Sequence, residues 1–107
     1  MFFLASEMTT KQIDATSQRT IKALGGTMMI SEMTFEKGGV GAMHSHPHEQ
    51  VMYVLEGEAD FTIGDETRRV KAGDSAYLAP NLVHGVVAVT KFRALDVFTP
   101  QREDFLG

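Results

Sequence analysis

Glycine cuts this chain into short extended runs, and their spacing restricts the folds open to it. Residues 19–24 and 27–35 flank Gly25-Gly26, which reads as a tight turn. A run over 50–56 stops at Gly57, and residues 59–63 and 67–70 bracket Gly64-Asp65, the signature of a hairpin. Lys71-Ala72-Gly73-Asp74 forms another turn, and runs over 75–78, 85–89 and 93–98 complete the series. The segment Lys37-Gly38-Gly39-Val40-Gly41 reads as a loop, because three glycines in four positions leave little reason to stay extended. Residues 10–17 could form a helix turn, but their apolar positions are too few to bury one. Short strands with turns at such regular intervals predict an all-β domain, a sandwich or barrel.

Composition narrows the function classes. A chain of 107 residues is expected to be one domain, long enough to bury its own core. It contains no cysteine, which excludes disulfides, thiolate metal sites and thiol catalysis. A net charge of -4 without a basic run argues against nucleic acid as a partner. The apolar opening Met1-Phe2-Phe3-Leu4 is too short for a signal peptide or a membrane span. A cytoplasmic protein without a membrane partner is the expectation.

Histidine placement points to chemistry. All four histidines are His44, His46, His48 and His84, three of them within five residues. Alternate residues of a strand share a face, so His44 and His46 would project together. Two imidazoles on one face can grip a divalent ion, and His84 with the amide oxygen of Gln50 could complete the cage. His48 shares their parity, but Pro47 is expected to turn the chain and leave it at the rim. Glu49 has the opposite parity to Gln50 and is expected in solvent. The methionines at 28, 29, 33, 43 and 52 suit packing better than ligation.

The spacing Gly38-x5-His44-x-His46-x3-Gln50-x6-Gly57 resembles the first signature of the cupin superfamily, and Gly73-Asp74, Pro80 and His84 resemble the second. Together they run from residue 38 to 84 in the expected order. The resemblance implies a double-stranded β-helix, a jelly-roll barrel with one metal in its mouth. Four positions depart from it: Gln50 replaces Glu, Ala79 replaces Pro, Asn81 replaces Gly and Ala88 replaces Asn. The last three concern turns and packing. The first concerns chemistry, because three neutral imidazoles and an amide leave a dication uncompensated and attractive to an anionic substrate.

A narrower resemblance covers most of the chain. The run His44-Ser45-His46-Pro47-His48-Glu49-Gln50 and residues 96–106 look like the pectin degradation protein KdgF family. That family is implied to open 4,5-unsaturated hexuronates, released by pectin or alginate lyases, to linear 5-keto-4-deoxyuronate. By position, His44, His46, Gln50 and His84 would be the ligands of one zinc, nickel, iron or manganese ion. Asp96, Phe98 and Arg102 fall on the family's active-site positions, and a homodimer is implied. The residues alone leave alternatives open. Asp96 could be a general acid or base, or an edge-strand charge. Arg102 could orient a carboxylate, or belong to a solvated tail or dimer contact. The same frame could serve a sensor without turnover, a dioxygenase or a sugar isomerase.

Overall fold

The computed structural model describes residues 1–107. Ten strands follow one another: β1 (Thr10–Gln12), β2 (Ser17–Gly25), β3 (Met28–Phe35), β4 (Val40–His44), β5 (Glu49–Glu56), β6 (Glu58–Ile63), β7 (Glu66–Lys71), β8 (Ser75–Leu78), β9 (His84–Ala88) and β10 (Phe92–Thr99). The only helical pieces are single 3-10 turns, Ala5–Glu7 and Glu103–Phe105. No helix is long and apolar enough to cross a membrane. The strands form two antiparallel sheets. The larger has the order β1-β2-β3-β10-β5-β8 and the smaller β4-β9-β6-β7. This is the all-β architecture that the turn spacing predicts, and the jelly roll that the cupin resemblance implies.

One alternative left open by the sequence is settled and one expectation fails, each for a local reason. Residues 10–17 are not a helix turn. The Asp14 carboxylate accepts from the Thr16 N–H (2.9 Å), the Thr16 hydroxyl (3.1 Å) and the Ser17 hydroxyl (2.9 Å), which reverses the chain. Residues Thr10–Gln12 then pair with β2, Thr10 opposite Thr20. The glycine-rich loop is also shorter than expected, because β4 starts at Val40. Gly41 serves close approach rather than a turn. A Cβ there would meet Val86 at 2.8 Å and Phe35 at 3.3 Å. Its partner strand uses the same device, since a Cβ on Gly85 would come within 2.9 Å of the Gly41 carbonyl oxygen.

The core lies between the sheets. Alternation in β5 buries Gln50, Met52 and Val54 while Val51 and Tyr53 stay exposed. Phe35, Met52, Val54, Leu78, Phe92 and Ala94 come from the larger sheet, and Ala59, Phe61, Val70 and Ala88 from the smaller. Burying a large apolar side chain contributes about 1.5–3 kcal/mol. One end of the space between the sheets is therefore filled with hydrocarbon. Going along the inner face toward the other end, β10 changes from Phe92 and Ala94 to Asp96, and β5 changes from Val54 and Met52 to Gln50. Polar side chains collect at that open end.

Candidate metal centre and cavity

His44 closes β4, and its Cα stands directly opposite that of His84, the first residue of β9. The cross-strand register sets this pair, with ring centroids 4.4 Å apart. His46 lies beyond the end of β4, so strand parity does not place it. Its carbonyl accepts from the Asn81 N–H at 2.7 Å, tying its loop to the turn that precedes His84. Asn81 has φ 65, the left-handed region that asparagine tolerates better than most residues. That explains how asparagine can stand where the cupin signature has glycine. The ring of His46 is then 4.9 Å from that of His84 and 5.8 Å from that of His44.

Three backbone carbonyls orient these rings. Nδ1–H of His44 donates to the Ala42 oxygen (2.8 Å), that of His46 to the His48 oxygen (3.1 Å) and that of His84 to the Leu82 oxygen (2.9 Å). A carbonyl only accepts, so each neutral ring carries its proton on Nδ1 and presents a bare Nε2. The ligand atoms of the three lie within 4.8 Å of one another. Metal–nitrogen bonds of about 2.0–2.1 Å would close that span with small side-chain adjustments. His46 and His84 are buried, and loss of water lowers the proton affinity of both. Neutral imidazole is the form that ligates.

Gln50 would offer a fourth donor to an ion held by the three histidines. Its Nε2 donates to the Asp96 carboxylate at 2.8 Å, which turns Oε1 toward the histidines. Oε1 stands 2.9 Å from Nε2 of His46. With the His46 proton on Nδ1, that contact sets two lone pairs face to face. A shared cation relieves it, whereas an imidazolium here is opposed by burial and by the Arg102 charge. The donor set of three imidazoles and one amide thus fits a divalent ion.

Beside this cluster lies a cavity of about 250 Å³ between the sheets. It reaches Asp96, Phe98 and Arg102, so the three residues expected to act together do share one space with His44, His84 and Gln50. Removal from water pushes the Asp96 carboxyl up to about 7, against the opposing pull of the Gln50 hydrogen bond and the Arg102 charge. A dication among the histidines would bring it down again. Phe98 is buried and packs edge-on to His46, with centroids 5.7 Å apart. Arg102 is also buried, not part of a solvated tail, and its Nε and Nη2 are bonded to the Asp104 carboxylate at 3.0 and 2.8 Å. His48 does not line the cavity; it is partly buried, its ring 5.3 Å from that of His46 and its Nδ1 without a hydrogen-bond partner. Glu49 is exposed and accepts from the Tyr77 hydroxyl. Of the five methionines expected to pack, Met29 and Met52 are buried and Met33 is partly buried against the core, while Met28 and Met43 are half-exposed.

One cavity residue is missing from the sequence-based set. Arg19 of β2 pairs with Met33 and shares its inward face, and it lines the cavity. The available signal was the parity of Ser17, Arg19 and Ile21, which sets the arginine among inward positions. Knowing which parity faces inward required the sheet.

Residues 31–98 match the cupin domain family. An RmlC-like cupin from Shewanella frigidimarina is 33% identical, with 97% of this chain and 94% of that one aligned at a TM-score of 0.93. KdgF from Halomonas sp. is 31% identical, with 98% and 97% aligned, also at a TM-score of 0.93. Among curated proteins, the H2HPP isomerase of Bacillus subtilis is 32% identical over 75 residues, 60% of this chain. The chain spans about a third of the length of that relative, 32%. By fold, by the order of its two histidine signatures and by these likenesses, the chain belongs to the cupin family.

Proposed function

We propose that this cupin opens the ring of 4,5-unsaturated hexuronates, giving linear 5-keto-4-deoxyuronates. The observation that carries this reading is the Asp96–Gln50 hydrogen bond. It sets a cavity-lining carboxyl one side chain away from a three-histidine cluster, inside a cavity of monosaccharide size. Pockets for larger ligands run to about 300–1,000 Å³, so 250 Å³ favours a single sugar over a chain of them. The 31% identity to KdgF over nearly the whole chain supports the same reading.

The reaction moves one proton and breaks one bond. The anomeric hydroxyl gives up its proton, its oxygen becomes the aldehyde carbonyl, and the bond from the anomeric carbon to the ring oxygen breaks. The electron pair stays on the ring oxygen as an enolate. Protonation at carbon 4 then gives the ketone at carbon 5, so atoms and electrons balance without any oxidant. His44, His46, His84 and Gln50 would hold a divalent ion, which supplies Lewis-acid stabilisation of developing negative charge. Asp96 takes the hydroxyl proton as a carboxylate and, as the acid so formed, returns it to carbon 4. Phe98 gives the sugar ring an apolar wall and keeps water from the carboxyl. Arg102, buried beside it, adds positive potential that favours an acidic substrate.

The test follows the ultraviolet absorbance of the ring double bond in unsaturated galacturonate, with zinc-loaded and chelated protein, after subtraction of spontaneous opening. Metal-dependent acceleration is expected. Equal rates with zinc-loaded protein, chelated protein and no protein would exclude the activity. A second reading, isomerisation of a different substrate, draws on the identity to the isomerase of Bacillus subtilis. It predicts product formation from that substrate with the unsaturated uronate left intact.

A further inference from the structure

The chain has five arginines, and four of them have carboxylate partners. Arg68 pairs with Glu66, Arg69 with Asp60, Arg93 with Glu32 and Glu56, and Arg102 with Asp104. Arg19 has neither an ion pair nor a side-chain hydrogen bond, although it is partly buried and lines the cavity. Its guanidinium carbon lies 3.6 Å from the centroid of the Phe105 ring. That stacking fixes the plane of the fork but uses none of its N–H donors. Arg102, which also lies over Phe105 at 4.2 Å, has two of its donors committed to Asp104. Of the two cationic groups on this cavity, Arg19 is the one whose N–H donors are uncommitted; the Asp104 carboxylate acts on it only through space, while bonded to Arg102.

Its position is set by the larger sheet. The inward row of Arg19, Met33 and Ala94 is next to the row of Ile21, Ser31 and Asp96. Arg19 therefore stands two strands and one inward row from Asp96, about 12 Å between Cα atoms at ordinary strand spacing. Ser31, between them, has a buried hydroxyl with no protein partner. A partly buried guanidinium whose donors have no partner costs free energy in the folded protein unless a ligand takes them up. We propose that Arg19 takes the carboxylate of the bound sugar acid in a bidentate pair, and that this contact sets the preference of the cavity for a monoanionic ligand. The proposal rests on reading the cavity as a sugar-acid site. It moves the direct anchoring role from Arg102 to Arg19 and leaves Arg102 as a source of field.

Three measurements test it on the full-length zinc-loaded chain. Calorimetric titration compares galacturonate with galactose, in which a neutral hydroxymethyl group replaces the carboxylate. Wild-type protein is expected to prefer galacturonate at least tenfold. Arg19→Met should weaken galacturonate at least tenfold, leave galactose within twofold and leave zinc content unchanged; Arg19→Lys, which keeps the charge but not the fork, should fall between. A role confined to packing on Phe105 would weaken both sugars alike. With unsaturated galacturonate as substrate, Arg19→Met should raise KM at least tenfold with kcat within threefold. Should Arg19→Met not fold, Arg19→Lys decides, and wild-type affinity in that variant overturns the proposal. Galacturonate binding that is indifferent to Arg19 but lost in Arg102→Met also overturns it. If wild-type protein leaves the double bond untouched yet shows the Arg19-dependent preference, the ring-opening reading fails and the anchor stands. If turnover proceeds with KM unchanged in Arg19→Met, the anchor fails and the ring-opening reading stands.

Discussion

Gln50 uses both ends of its amide, the nitrogen on Asp96 and the oxygen on the histidines. Replacing Asp96 by Asn keeps an oxygen for that nitrogen to donate to but removes the group that carries a proton. Asp96→Asn is therefore expected to lower kcat by about 10²–10⁴-fold, with zinc content unchanged by elemental analysis. Full activity with full metal occupancy would show that another group moves the proton. Asn81 makes a prediction about stability. Its φ of 65 is strained for residues with a Cβ, and asparagine bears that better than alanine. Asn81→Ala is expected to cost about 1 kcal/mol, while Asn81→Gly stays within about 0.5 kcal/mol of wild type. Urea midpoints measure both. The two residues also differ in what the sequence discloses. The departure at Asn81 is visible as a turn residue in a turn, but the role of Asp96 depends on which face of β10 turns inward.

At the scale of elements, the outer face of the larger sheet carries a charge cluster across β2, β3, β10 and β5. Glu32 pairs with Lys22 at 3.4 Å and with Arg93 at 3.0 Å, and Arg93 reaches on to Glu56 at 3.2 Å. Burial alone would raise the Glu32 carboxyl, but the Arg93 hydrogen bond and the two positive charges outweigh it and hold the group below its ordinary 4.5. A depressed folded-state value means that the contribution is present above 4.5 and is lost as pH falls through the lower value. Arg93 is largely solvated, so the pair contributes about 1 kcal/mol or less. Glu32→Gln is expected to destabilise by that amount at pH 7 and by less at pH 3, in denaturant titrations at the two pH values. β4 shows why element boundaries were hard to read. Gly38-Gly39-Val40-Gly41 has the composition of a loop, yet Gly41 belongs to a strand because only hydrogen fits against Val86. Composition does not distinguish a glycine needed for a turn from one needed for close packing.

At the scale of the whole molecule, the proposed ligands join the two sheets. His44 and His84 stand on the smaller sheet, and Gln50 stands on the larger. An ion held by both stabilises the folded chain by mass action, about 2.7 kcal/mol at a hundredfold excess over its Kd. For a domain of this size that corresponds to roughly 10–20 °C in Tm. Removing the metal with a chelator should lower Tm by that order in scanning calorimetry, and zinc should restore it. An unchanged Tm would mean that the three rings do not share an ion. The all-β class, the turn positions at Gly26, Gly64 and Gly73 and the histidine signature were decided by the sequence, because alternation, turn chemistry and ligand type act within a few residues. The meeting of His84 with His44, of Gln50 with Asp96 and of Arg19 with Phe105 was decided only by the tertiary structure. Each of those contacts joins segments 40 or more residues apart, and no local rule reaches so far: strand order and register bring them together.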